Sequence, residues 1–104
     1  MPEPETPSLS RKEAIILDLL IGAGDRYGLQ LVEESGGRLK RGTVYVTLSR
    51  MEDKGFVTSR QEERDPHVPG IPRRLYRITG VGQKVLSEVL KASESWMLRP
   101  GLAT

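Results

Sequence analysis

Residues 42–57, GTVYVTLSRMEDKGFV, place a helix pattern and a strand pattern on either side of one glycine. On a helical wheel Val44, Leu48 and Met51 fall within about 60° of one another, the spacing of a single buried stripe. Thr43, Val46, Ser49, Arg50 and Asp53 lie opposite, with Tyr45 and Thr47 on the flanks. A surface helix ordinarily covers its outer face with Glu and Lys. This one displays small, β-branched and mixed side chains, with one arginine among them. Gly55 suits the position after Lys54 where a left-handed residue stops a helix, and FVTSRQEE restarts at once as a strand.

The flanking patterns complete the order. Ser10 and Glu13 stand three apart, the spacing of a capping box, ahead of a helix expected over Arg11 to Ile21 and ended by Gly22 and Gly24. Its apolar residues wrap most of the cylinder, so it is expected to be buried on more than one side. Asp25 is expected to cap a second helix, RYGLQLVEES, which Gly36 and Gly37 end. Gly28 in its first turn lowers helix propensity, which points to close approach of a neighbour. RRLYRIT reads as a second strand, with Tyr76 and Ile78 on one face. RDPHVPGIP between the strands is a loop, with three prolines and a glycine. Thr79 can cap a last helix of roughly 20 residues, about 30 Å long, more than a core of this size covers.

At 104 residues the chain is one domain or a subunit that completes its core by association. The expected parts are a tail at 1–8, a domain at 9–79, a dimerisation helix at 80–99 and a tail at 100–104. There is no cysteine, which excludes disulfides and thiolate metal sites and is compatible with a cytoplasmic location. No apolar run approaches the ~20 residues of a membrane span. The net charge of +2 is unevenly spread: −4 over residues 1–37, +5 over 38–77 and +1 over 78–104. The positive middle segment favours a polyanion partner. His67 has no partner at metal-ligand spacing, and no nucleophile stands with a general base. No cofactor, metal site or enzyme activity is expected.

Three helices, a strand, a long loop, a second strand and a long helix form a mainly α chain with a small β-hairpin. That is the order of a winged helix-turn-helix domain followed by a C-terminal dimerisation helix. The major groove of DNA admits one α-helix, and short side chains let it approach base edges. Val46 can meet a thymine methyl, Thr47 and Ser49 can hydrogen-bond either way, and Arg50 can take a guanine with two bonds. Thr43 lies on the same face, and the Tyr45 hydroxyl can reach a phosphate. Lys40 and Arg41 sit at the helix start, where phosphates are favoured. Arg64, His67, Arg73 and Arg74 ring the wing tip, where the arginines meet backbone or minor groove, or pair with Glu62, Glu63 and Asp65.

YGLQLVEE, GTVYVTLSRMEDKGFV and RRLYRITGVG together resemble the PadR family of bacterial transcriptional regulators. Tyr27-Gly28, Gly42-Thr43-Val44-Tyr45, Arg50-Met51-Glu52, Gly55, Tyr76, Thr79 and Gly82 occupy the places of that family's pattern, over about residues 11 to 90. Val46 departs from it where proline is common, and Lys40 where a capping serine is frequent. The short stretch after the last helix is also expected to depart from longer members, which carry a helical C-terminal domain. The resemblance implies a homodimer that binds double-stranded DNA at an inverted repeat, usually as a repressor, with the third helix in the major groove. It also implies dimerisation through the last helix, aided by the first, and in some relatives release of DNA by a small aromatic effector.

The expected interface residues are Ile16, Leu20, Val85, Val89, Ala92, Trp96 and Met97. Trp96 has two readings: an aromatic anchor against the partner subunit, or a stacking surface for a flat ligand. A winged helix that docks on protein, without an operator of its own, is the alternative function.

Overall fold

The computed structural model describes residues 9–63, 65–70 and 73–97, with side chains up to residue 92. The tails expected at 1–8 and 100–104, Arg64, and the side chains of Trp96 and Met97 lie outside the described residues. The elements are α1 (Arg11–Leu20), β1 (Arg26–Tyr27), α2 (Gly28–Glu34), α3 (Arg41–Asp53), β2 (Val57–Gln61), β3 (Arg74–Ile78) and α4 (Gly80–Met97). The strands form an antiparallel sheet in the order β1-β3-β2. Ser59 stands opposite Tyr76 in β2–β3, and Arg26 opposite Tyr76 in β1–β3.

The start of α1 is closed by the expected capping box. The Glu13 N–H donates to Ser10 Oγ at 3.2 Å, and the Ser10 N–H donates to Glu13 Oε1 at 2.9 Å. The second carboxylate oxygen of Glu13 accepts a bond from Lys54 Nζ at 2.9 Å. Glu13 is only 3% exposed, so one buried carboxylate ties the start of α1 to the end of α3. Burial pushes its carboxyl up, but the Ser10 N–H and the Lys54 ammonium more than offset this and hold it below the ordinary 4.5. The folded group therefore binds its proton more weakly than the unfolded one. Its contribution is full above about pH 4.5 and is lost as pH falls through the lower folded value. Urea unfolding from pH 7 to pH 3 is expected to show wild type losing its advantage over Glu13→Gln across that acid range.

The α3 stripe is as the spacing predicts, with Val44, Leu48 and Met51 each at most 1% exposed. At its end the Phe56 N–H reaches Met51 O at 2.9 Å and the Gly55 N–H reaches Glu52 O at 3.0 Å. Gly55 adopts φ 82°. This is a Schellman stop, and it drops Phe56 into the core. The core joins Ile16, Leu17 and Leu20 of α1, Leu31 of α2, Leu39, the α3 stripe, Phe56, Val57, Tyr76, and Val85 and Leu86 of α4. Each such aliphatic side chain contributes about 1.5–3 kcal/mol when fully buried.

Two expectations are corrected here. The second helix begins at Gly28, and the residues before it form β1, an unforeseen third strand. Asp25 does not cap it. Its carboxylate instead accepts from Arg60 Nη2 at 2.6 Å and Arg77 Nε at 2.8 Å, on neighbouring strands. Those two bonds, Arg60 first, hold the Asp25 carboxyl below its ordinary value. The N–H of Tyr27 is bonded by the Gln30 side chain at 2.8 Å. Thr79 does cap α4, with its hydroxyl accepting from the Gly82 N–H at 3.0 Å and donating to Gly55 O at 2.6 Å.

Candidate nucleic-acid interface

The outer face of α3 is open. Val46 is 58% and Tyr45 47% exposed, and Thr43, Ser49 and Arg50 are exposed beside them. The Arg50 side chain has no hydrogen bond or ion pair among the described residues, Asp53 included, so its guanidinium donors are available. The Thr47 hydroxyl donates to Thr43 O at 3.0 Å and the Thr43 hydroxyl to Lys40 O at 3.4 Å. Both hydroxyl oxygens therefore keep lone pairs that can accept a hydrogen bond, and both side chains carry a methyl for apolar contact. Lys40 and Arg41 are exposed at the start of the helix, where Lys40 supplies no side-chain cap. Two shallow grooves flank this face. One is lined by Tyr45, Val46, Ser49, Arg50 and Asp53. The other runs from Thr43, Val46, Thr47 and Arg50 across to Ser10, Arg11 and Lys12 of α1.

The wing is braced at its base by residues of all three strands and of α3. Tyr27 Oη donates to Glu62 Oε1 at 2.6 Å, and the Arg73 guanidinium lies 4.3 Å from the Tyr27 ring centroid. Arg73 Nε also stands 3.7 Å from Glu62 Oε2. The bond to Glu62, with burial, pushes the Tyr27 phenol above its ordinary 10.0. Arg74 Nη1 donates to Ser59 Oγ at 3.0 Å, and that hydroxyl donates to Glu52 Oε2 of α3 at 2.6 Å. Arg73 and Arg74 thus hold the wing to its base while remaining exposed. The Asp65 carboxylate, a candidate partner for the arginines, instead takes the His67 N–H at 2.9 Å in a turn. Spacing alone could not reveal the Tyr27–Glu62 and Ser59–Glu52 bonds, because the partners meet only once the sheet has formed.

The expected dimer residues separate into groups. Ile16 and Leu20 are 0% and 1% exposed and Val85 is 5% exposed, so they fill the chain's own core and leave a partner almost nothing to touch. Val89 is half-buried and Ala92 exposed. Among the described residues of α4 and the end of α1, the large apolar side chains that face outward are Ile21 at 44%, Val81 at 55% and Leu90 at 51%. Ile21 and Leu90 lie in one groove with Gln83, Leu86, Ser87 and Lys91 between the end of α1 and α4.

A helix-turn-helix whose third helix is followed by a hairpin and a return helix is a winged helix. Comparison with known proteins narrows that class. Residues 16–88 match the transcriptional regulator PadR-like family. The chain is 36% identical over 89 residues to the transcriptional regulator Rv3488 of Mycobacterium tuberculosis, covering 81% of this chain and 79% of that protein. A PadR family transcription regulator from Clostridium difficile superposes with a TM-score of 0.67 at 27% identity, over 85% of this chain and 91% of the other. A PadR-like transcription factor from Bacteroides fragilis gives 0.70 at 25% identity, over 83% and 85%. The chain belongs to the PadR-like family of transcriptional regulators, DNA-binding proteins rather than enzymes. Among the described residues no helix is long and apolar enough to cross a membrane.

Proposed function

We propose that this chain is a homodimeric repressor that binds an inverted-repeat operator, with α3 in the major groove and the wing at the adjacent backbone or minor groove. The observation that carries this reading is the outer face of α3, where exposed Val46 and Arg50, whose side chain is unpaired among the described residues, stand beside threonine hydroxyls with lone pairs left to accept. Lys40 and Arg41 then meet phosphate at one end of the helix, and Arg73 and Arg74 meet it from the wing. A two-fold dimer presents two such helices about one turn of DNA apart, which matches a palindromic site and excludes polymerase by occupancy.

The test is fluorescence anisotropy with the duplex from just upstream of the chain's own gene, beside a shuffled duplex, at two salt concentrations. Tight binding that prefers the native duplex and weakens with salt is expected. Failure to bind either duplex at low salt would overturn the reading.

Dimerisation is assigned to α4, aided by α1, with Ile21 and Leu90 supplying the apolar contact. Leu90→Glu is expected to leave the protomer folded, because the side chain is half exposed. In a dimer it would bury an unpaired charge. Sedimentation is expected to show a dimeric wild type and a monomeric variant; a fully dimeric variant would remove α4 from the interface.

A further inference from the structure

We propose that Gly28 is a positioning residue for DNA binding: lacking a side chain, it lets the Tyr45 ring lie against the start of α2, and that seat fixes where the Tyr45 hydroxyl stands on the DNA-facing surface. The proposal rests on the reading of α3 as the groove-binding helix.

Gly28 is buried at the first position of α2. It is not among the glycines with positive φ, so backbone conformation does not require a glycine there. Helix propensity disfavours it by about 1 kcal/mol relative to alanine. What the position lacks is room. A Cβ on Gly28 would stand 2.6 Å from Tyr45 Cε1, 2.9 Å from Cζ and 3.1 Å from Oη. All three atoms belong to the outer end of the ring, so the closest contacts of a methyl group there would be with the phenol.

The consequence is selective. Tyr45 is nearly half exposed and shares a groove with Val46, Ser49 and Arg50. Its ring can swing toward solvent at small cost to the fold. The hydroxyl would move with it, and a hydrogen bond to phosphate weakens steeply once its distance and angle depart from their optimum. Gly28 therefore acts through Tyr45, without touching DNA itself.

The experiment is a double-mutant cycle in the anisotropy assay, using wild type, Gly28→Ala, Tyr45→Ala and the double variant, with Tyr45→Phe alongside. Gly28→Ala is expected to weaken binding about tenfold, the size of one hydrogen bond to a charged group, with an unchanged or slightly raised urea midpoint. In the Tyr45→Ala background the same substitution is expected to have no further effect, and Tyr45→Phe should reproduce the Tyr45→Ala loss. Wild-type affinity in Gly28→Ala or in Tyr45→Phe, or an equal loss from Gly28→Ala in both backgrounds, would overturn the proposal alone. A wild type that binds no duplex would overturn the groove-binding reading and this proposal with it.

Discussion

Gly82→Ala is expected to destabilise the chain by about 2 kcal/mol, the upper end of the ~1–3 kcal/mol cost of overpacking less the helix propensity that alanine gains. Gly82 lies in the first turn of α4, and a Cβ there would press directly into the Phe56 carbonyl oxygen and against Ile78 Cγ1. That oxygen belongs to the backbone just past the Schellman stop, and it already accepts the Thr79 N–H at 3.1 Å. Moving α4 away would stretch this bond and the Thr79 cap together. Alanine's better helix propensity works in the opposite direction, by about 1 kcal/mol, and is outweighed. Gly80→Ala is the matched control, since a Cβ at Gly80 meets nothing within 4 Å. Urea midpoints by circular dichroism are expected to fall for Gly82→Ala and to hold or rise for Gly80→Ala. Equal midpoints would mean that α4 does not begin pressed against the Phe56 backbone.

Arg50→Glu is expected to reduce affinity for the tightest-binding duplex ~100-fold or more. Loss of a bidentate or phosphate contact accounts for about 1–3 kcal/mol, and the new carboxylate would face phosphates in the same groove. The protein itself should lose little. The Arg50 side chain is exposed and has no bonded partner among the described residues, and such surface changes usually stay within about 0.5 kcal/mol. Arg50→Ala separates the two possible contacts. If Arg50 reads a base, binding to the preferred duplex falls while the shuffled duplex is little affected. If it meets phosphate, both fall together and the salt dependence becomes shallower. Unchanged binding by Arg50→Glu would take α3 out of the groove.

Features set by neighbours in the chain were legible from the residues. The Ser10–Glu13 box, the Val44–Leu48–Met51 stripe, the Gly55 stop and the Thr79 cap each depend on spacings of four residues or fewer. The close approach at Gly28 was legible as well, though not the identity of its neighbour. What failed depends on long separations. β1 is two residues long and carries no periodicity; it exists because β3 offers a free edge. Asp25 carries the signature of a helix cap, but arginines 35 and 52 residues away hold it. Helix α1 is apolar on most sides, and the wheel cannot say which side meets the core. Ile16 and Leu20 were therefore expected at a partner, whereas they pack inside the chain.

The Glu52–Ser59–Arg74 chain joins the last turn of α3 to both strands of the wing, and the Schellman stop leaves no slack between helix and hairpin. Within one protomer the helix and the wing base therefore behave as a gauge of fixed width. A site whose groove contact and flanking backbone contact are out of step cannot be accommodated by sliding one against the other. In the proposed dimer, tolerance toward imperfect sites would then have to come from bending of the DNA or from movement between the two protomers. A single-residue change at Ser59 would alter how many related sites the regulator accepts more than how tightly it holds its best one.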